Sequence, residues 1–146
     1  MALVEGVVES EGRVEYPLVP HRKDPKRVEA VTPNVRLRAG TRTFEAVTRY
    51  VPRKVLHAGA SAFTLVDVEV SSAFRHQVRV HLATAGHPLA GDTLYRGPSL
   101  AESHGLQRHF LHAAAITFVH PATGAPVTVE SPLPDDLAKV LAALEG

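Results

Sequence analysis

Apolar and polar residues alternate along much of the first half of the chain, a period of two that predicts β-strands. The clearest strand covers residues 62–71, where one side carries Phe63, Leu65, Asp67 and Glu69 and the other carries Thr64, Val66, Val68 and Val70. Residues 43–51 alternate in the same way, and Pro52 is expected to end or kink that segment. With a turn at residues 57–61 between them, the two segments predict an antiparallel hairpin.

Shorter strand-like segments lie on both sides of this hairpin. They cover residues 2–8, 13–18, 27–32, 110–119 and 126–130. A turn at Thr123-Gly124 separates the last two segments, which therefore predict a second hairpin.

Two further segments have a helical period. Ser71 or Ser72 is placed to cap a helix that ends at Gly86, and its predicted apolar stripe consists of Val78, Leu82 and Ala85. A final helix opens at residues 134–136, and its apolar face consists of Leu137, Val140, Leu141 and Leu144. Strands outnumber helices and pair mostly antiparallel, so we predict an α+β domain over residues 1–146. Its mixed sheet is mostly antiparallel, with a few flanking helices.

Composition narrows the class of protein. The chain is 45% hydrophobic and 21% charged, as is usual for a folded soluble domain. It has no cysteine, which excludes disulfides and zinc-thiolate sites. No apolar run is long enough to cross a bilayer, and residues 1–11 lack the basic region of a secretory signal. We therefore expect a cytoplasmic protein without a membrane partner.

The net charge of +1 hides an uneven distribution of basic residues. Ten of the sixteen lysines and arginines lie in residues 21–54, opposed there only by Asp24, Glu29 and Glu45. Such a local excess is the usual signature of a polyanionic partner. A solvated arginine-rich surface is the alternative, and charge alone does not decide between the two.

Nine histidines raise the question of a metal site. His76 and His81 are five positions apart and diverge around a helix, whereas His109 and His112 have strand-like spacing and point to opposite faces. The sequence has no H-E-x-x-H motif and no Gly-rich phosphate loop. We predict no metal site, and either structural roles or contacts to a polyanion for these histidines.

The start of the predicted helix is a candidate anion site. Unpaired backbone N–H groups and the helix dipole favour negative charge at a helix N-terminus. Arg75 and Arg79 are spaced to share one helical face and suit bidentate phosphate contacts. Alternatively, one of these arginines pairs with a buried acid such as Asp67 or Asp92.

Four ordered blocks of the sequence resemble the RluA-type pseudouridine synthases. Residues 72–95 resemble the family motif T-G-R-x-H-Q-I-R-V-H-L-A-x-x-G-H-P-I-x-G-D-x-x-Y. Residues 108–113 and 120–124 resemble R-x-x-L-H-A and H-P-x-T-G, and residues 46–50 resemble A-x-T-x-Y. The opening A-L-V-E-G at residues 2–6 also matches. The resemblance covers nearly the whole chain and implies part of the pseudouridine synthase fold, namely the C-terminal part of the catalytic domain.

The resemblance implies a cofactor-free isomerase that converts uridine in structured RNA to pseudouridine. In this family an essential aspartate drives cleavage of the glycosidic bond, a tyrosine packs against the flipped base, and a basic residue pairs with the aspartate. The expected partner is ribosomal or transfer RNA. The candidate RNA-binding residues are Arg53, Lys54, Arg75, His76, Gln77, Arg79, Arg108 and His112.

The catalytic positions of the family depart from this sequence. The aspartate belongs to an H-R-L-D block upstream of the aligned region, and no such block occurs here. The family tyrosine falls just before the A-L-V-x-G stretch, immediately upstream of Met1. The family arginine aligns with Phe74, and Arg75 is displaced by one place, which on a helix turns the side chain by about 100°. No catalytic residue is therefore identifiable in the chain.

Three hypotheses stay open from these departures. The chain is part of a synthase whose other part lies elsewhere, or a catalytically inactive module that binds RNA or protein, or a folded remnant. Because the sheet of the family is continuous, we also expect an unpaired strand edge near residues 2–8 and uncovered apolar surface. Such edges recruit other chains, so we predict self-association.

Overall fold

In the computed structural model, which describes residues 1–146, the longest strands form the hairpin that the alternating pattern predicts. Strand β5 (Thr48–Ala58) and strand β6 (Ser61–Val70) pair antiparallel along their whole length. The register shifts between Pro52 and Lys54, because proline has no N–H to donate to the ladder. Pro52 thus kinks the strand without ending it, and β5 begins at Thr48, later than predicted.

Two short strands complete this sheet. Strand β1 (Ala2–Glu5) pairs with β6, and strand β2 (Gly12–Val14) pairs with β5, which gives the order β1-β6-β5-β2 with all neighbours antiparallel. Two separate hairpins accompany the sheet. One joins β3 (Leu18–Pro20) to β4 (Val28–Ala30), and the other joins β7 (Ala115–Val119) to β8 (Pro126–Glu130). The second hairpin confirms the turn predicted at Thr123-Gly124, although β7 begins five residues after the predicted start.

The helices are few and short. They are α1 (Gln77–Thr84), a 3-10 turn (Thr93–Tyr95), α2 (Ala101–His104) and α3 (Asp135–Glu145). Leu137, Val140 and Leu144 of α3 enter the core beside Phe63 and Phe110, which confirms the predicted apolar face. No helix is long and apolar enough to cross a membrane. The fold is α+β with antiparallel sheets, as predicted.

The predicted cap and apolar stripe of α1 are wrong in part. The helix begins at Gln77, well after Ser71 and Ser72, and the preceding His76 has a left-handed backbone with φ of 57°. Leu82 is buried, but Ala85 is exposed. The polar side chains of Gln77 and His81 are buried, because hydrogen bonds described below satisfy them.

The unpaired strand edge predicted near residues 2–8 is also wrong. The outer edge of β1 bonds to two loop segments: the Leu3 N–H donates to the Phe110 carbonyl at 3.2 Å, and the Ala90 N–H donates to the Leu3 carbonyl at 2.9 Å. Ala2 and Val4 are fully buried. Strand β1 therefore lies in the interior, and the free edge of the molecule lies elsewhere.

Candidate nucleic-acid interface

A relay of polar side chains holds α1 against the sheet. Gln77 Oε1 accepts from the Phe74 N–H at 3.0 Å, so its amide nitrogen donates to Thr48 Oγ1 at 3.3 Å. The Thr48 hydroxyl then donates to His81 Nδ1 at 2.8 Å, and His81 Nε2 donates to the Tyr16 carbonyl at 2.8 Å. This order of donors assigns a neutral His81 with its proton on Nε2. Burial lowers the pKa of His81, and its hydrogen bond to the Tyr16 carbonyl opposes the shift only in part. Gln77 and His81 thus have structural roles.

Arg79 forms a bidentate ion pair with Asp92. Its Nε and Nη2 atoms each lie 2.7 Å from a carboxylate oxygen of Asp92. The carboxylate is fully buried and the arginine side chain is 13% exposed. The hydrogen bond to Asp92 raises the pKa of Arg79. The alternative in which an arginine of this motif pairs with Asp92 is therefore confirmed.

His76 and Tyr95 lie against this ion pair. His76 Nδ1 is 3.1 Å from the Tyr95 hydroxyl, the two rings meet edge to face, and the Arg79 guanidinium lies 5.1 Å from the centre of the Tyr95 ring. Burial lowers the pKa of His76, and the charges of Arg79 and Arg75 lower it further. A neutral His76 offers a hydrogen bond but no charge to a phosphate.

Phe74, which the family resemblance aligns with an arginine, forms an aromatic pair. Its ring stacks on Phe44 with centroids 4.3 Å apart and planes 24° apart. Both rings are half-buried, and the Arg42 guanidinium lies 5.1 Å from the centre of the Phe44 ring. The exposed Arg75 does not lie on α1, and its Nη2 donates to the Pro25 carbonyl at 2.6 Å. These contacts bring the basic loop at residues 21–27 to the aromatic pair.

The other basic candidates are paired with acids of the same chain. Lys54 Nζ lies 2.8 Å from Glu145 Oε1, and Arg108 Nε lies 2.7 Å from Asp136 Oδ2. Arg53 contacts Asp67 in the same way. His112 Nε2 bonds to the Ser131 carbonyl at 3.0 Å. The three ion pairs lie on the surface, where such pairs contribute little energy, so their basic partners stay accessible to a competing anion.

The structure shows further exposed basic residues that were not among the RNA-binding candidates named from the sequence. Six exposed side chains in the loops around β4 form no ion pair: Arg22, Lys23, Lys26, Arg36, Arg38 and Arg42. We call these six residues together with Arg75 the basic loop surface. The excess of positive charge at residues 21–54 indicated this surface in the sequence. Without the fold, however, that excess did not show which basic residues form ion pairs and which do not.

No group of three or more histidine, aspartate or glutamate side chains is arranged to hold a metal ion. Asp92, the one carboxylate in a matched motif, is occupied by Arg79 and also accepts from the Tyr95 N–H at 3.3 Å. Both carboxylate oxygens of Asp92 accept hydrogen bonds from within the protein, as is typical of a structural residue.

Comparisons with known proteins place this geometry in a family. No family model matches the sequence. An uncharacterized RNA pseudouridine synthase of Mycobacterium bovis is 37% identical over 147 residues, which cover 99% of this chain and 44% of the relative. Ribosomal large subunit pseudouridine synthase D of Nitrosomonas europaea is 36% identical over 151 residues, which cover 100% of this chain and 40% of the relative.

A solved structure agrees with these relatives. Human RNA Pseudouridylate Synthase Domain Containing 1 has a TM-score of 0.68 and 21% identity, covering 99% of this chain and 63% of that chain, which shows a shared fold. The chain spans less than half the length of the two curated relatives, so its fold is part of theirs. By sequence and by fold, this chain belongs to the RluA-type RNA pseudouridine synthases.

Proposed function

We propose that this chain binds structured RNA through the basic loop surface, as the RNA-binding part of a pseudouridine synthase fold. The observation that carries the proposal is the set of seven exposed cations without an acidic partner. Two of them lie at the half-buried Phe44–Phe74 pair, since the Arg42 guanidinium is 5.1 Å from the centre of the Phe44 ring and Arg75 follows Phe74 in the chain. Unpaired cations favour polyanion binding because no internal ion pair has to break first. We place this activity in the cytoplasm, and a curated relative named for the large ribosomal subunit supports ribosomal RNA as the partner.

The two components of this surface have different roles. Guanidinium groups such as those of Arg42 and Arg75 bind phosphate oxygens, which gives affinity without sequence preference. The exposed parts of the Phe44 and Phe74 rings offer a face on which an unstacked base can rest, and such stacking contributes about 1–3 kcal/mol per base. Gln77 and Arg79 are not part of the proposed surface, because their polar groups are engaged within the protein.

Isomerisation is not proposed for the chain alone. The family mechanism requires an aspartate paired with a basic residue, and the aligned arginine is Phe74. We therefore propose that the chain binds RNA but lacks the catalytic pair. A pseudouridylation assay on ribosomal and transfer RNA tests this, with no product expected from the 146-residue chain.

Binding is tested by titration of ribosomal RNA fragments over a range of salt concentrations. Each phosphate contact contributes a slope of about −0.7 to −0.9 to the dependence of log affinity on log salt. Arg42→Gln with Arg75→Gln is expected to reduce the magnitude of that slope by about 1.5. Arg13→Gln is the control, because Arg13 is also exposed but lies on strand β2, outside the basic loop surface. Equal effects of the control and the double variant, or salt-independent binding, would contradict the proposal.

A protein-binding role is the second candidate, and the exposed β7–β8 hairpin favours it. Ile116, Phe118 and Val129 of this hairpin are large apolar residues at the surface. Self-association stays a prediction. The exposed apolar residues of this hairpin favour it, and sedimentation at micromolar concentration tests it.

A further inference from the structure

An open cleft lies between strand β4, helix α1 and the 3-10 turn. Its volume is about 530 Å³, within the range of about 300–1,000 Å³ that is typical of small-ligand sites. Val28, Ala30 and Val80 form its apolar wall and are themselves buried. This cleft, which we call the β4–α1 cleft, therefore has room for a small organic molecule with an apolar side.

Arg27 lines the β4–α1 cleft with a donor that the protein does not satisfy. Its Nε atom is the one buried side-chain nitrogen or oxygen in the structure without a hydrogen-bond partner. Arg27 also forms no ion pair. An arginine keeps its charge, and a buried donor without an acceptor is costly. This position therefore favours an acceptor that comes from outside the chain.

The Arg27 guanidinium is held beside the ring of Tyr95. It lies 5.4 Å from the centre of that ring, and the Arg79 guanidinium lies 5.1 Å from the same centre. The Tyr95 hydroxyl accepts from the Val28 N–H at 2.9 Å, which fixes the ring against β4. Asp92 neutralises Arg79, but no acid neutralises Arg27. The charge at this ring that is available to an anionic ligand is therefore that of Arg27, and it is in place before the ligand binds.

Arg96 adds a second cation to the cleft. It is exposed and forms no ion pair, and Glu29 is the only acidic residue that lines the cleft. His21 also lines the cleft, and its Nδ1 accepts two backbone N–H bonds of its own loop, at 3.3 Å and 3.1 Å. The His21 proton is therefore assigned to Nε2. The lining thus has an excess of positive charge and of N–H donors.

A phosphate monoester suits this lining better than other common anions. It carries a charge of about −1.5 to −2 at pH 7, and a guanidinium group can donate to two of its oxygens at once. A carboxylate or a phosphodiester carries a single negative charge and so attracts the two arginines less strongly. The apolar wall suits the sugar and base of a nucleotide, because such sites combine apolar walls with a few charged groups.

We infer that the β4–α1 cleft binds a nucleotide by its terminal phosphate, which contacts Arg27 and Arg96 while the sugar and base pack along the apolar wall. A free nucleotide and the phosphorylated end of an RNA strand have this chemistry in common. The inference uses no residue of the basic loop surface, so it is independent of the RNA binding proposed for that surface.

The test is a titration of the isotope-labelled full chain with uridine 5′-monophosphate, followed through the NMR signals of the arginine Nε–H groups. The expected result is saturable binding with a Kd below about 1 mM, in which the Arg27 signal shifts. Uridine, which lacks the phosphate, is expected to bind at least about tenfold more weakly. Two RNA tetranucleotides, with and without a terminal phosphate, distinguish the sources. Competition by the phosphorylated one alone assigns the RNA end, and competition by neither assigns the free nucleotide.

Two variants and a control locate the contact. Arg27→Gln is expected to weaken the binding of uridine 5′-monophosphate at least about tenfold, and Arg96→Gln at least about threefold, because each removes a charged donor. Arg49→Gln is the matched control, since Arg49 is also exposed and forms no ion pair but lies on β5, outside the cleft. It is expected to change the Kd by less than about twofold. If circular dichroism shows that Arg27→Gln does not fold, Arg96→Gln and the Arg27 signal of the unsubstituted chain decide.

Several outcomes overturn the inference. Absence of saturable binding does so, and so does a titration in which the Arg27 signal does not shift. Equal binding of uridine and its monophosphate, or equal competition by the two tetranucleotides, shows that the terminal phosphate is not recognised. Equal weakening by Arg49→Gln and Arg27→Gln shows that the contact lies outside this cleft. The salt dependence of ribosomal RNA binding measures the basic loop surface instead, so the two proposals can fail separately.

Discussion

Removal of the Asp92 carboxylate tests how much the buried Arg79–Asp92 ion pair contributes to the stability of the fold. Asp92→Asn keeps the size of the side chain but deletes the charge that Arg79 contacts through two hydrogen bonds of 2.7 Å. The guanidinium is then left 13% exposed beside a neutral amide that has only one acceptor oxygen. An arginine in this place keeps its charge, because no protonation change in the accessible pH range neutralises it.

The expected cost follows from this burial. Breaking a buried ion pair by removing one partner costs about 3–5 kcal/mol, whereas a pair on the surface contributes about 0–1 kcal/mol. A domain of this kind has a total stability of about 5–15 kcal/mol. Asp92→Asn is therefore expected to remove a large fraction of the free energy of unfolding.

Urea unfolding followed by circular dichroism measures this cost. With a slope of roughly 2 kcal/mol per molar urea, a loss of about 4 kcal/mol lowers the midpoint by about 2 M. Asp67→Asn is the matched control, because Asp67 also pairs with an arginine but is 45% exposed; its midpoint is expected to fall by less than about 0.5 M. Equal midpoints for the two variants would refute the idea that burial decides the energy of these pairs.

Three further predictions concern other parts of the fold. Burial lowers the pKa of His81 below its ordinary value of 6.5, so the folded state binds a proton less readily than the unfolded state. The free energy of unfolding should therefore be highest above about pH 6.5 and fall as the pH falls below it. His81→Gln should flatten this dependence in urea titrations at several pH values. Gly97→Ala would push a Cβ atom into the main-chain oxygen of Leu89, so we expect a loss of about 2–3 kcal/mol, measured by thermal unfolding. Phe74→Arg loses the stacking on Phe44, worth about 0.5–1.5 kcal/mol, and should not produce pseudouridine in an isomerisation assay.

Local patterns of the sequence were enough to predict part of this fold. Strands β5, β6 and β8 and helix α3 follow from alternation or from a period near 3.6, because both patterns depend only on nearby residues. The closure of β1 was not predictable in this way. Its outer edge bonds to residues 88–90 and 110–112. Residues 88–90 were predicted as a turn and residues 110–112 as the start of a strand, but no local pattern indicates that either segment pairs with β1.

The candidate site, like the fold, was predictable only in part from local sequence patterns. The serines before α1 carry a local capping signal, yet the helix begins at Gln77, because Phe74 stacks on Phe44 and Gln77 bonds to strand β5. The partner of Arg79 was open between a phosphate and an acid such as Asp92. Only the fold brings the carboxylate to the guanidinium across the turn at Gly91. The sequence alone therefore predicted both possible partners of Arg79 but could not decide between them.

Position 74 connects the energetics of the fold with the proposed function. A half-buried arginine needs an anion beside it, because the charge is otherwise desolvated without compensation. The family resemblance implies that the arginine aligned with Phe74 has such an anion in the catalytic aspartate. Phenylalanine removes the requirement, since stacking on Phe44 satisfies an apolar ring. Under the proposed function, Phe74 therefore offers a stacking face to a base of bound RNA, where an arginine would offer a charge.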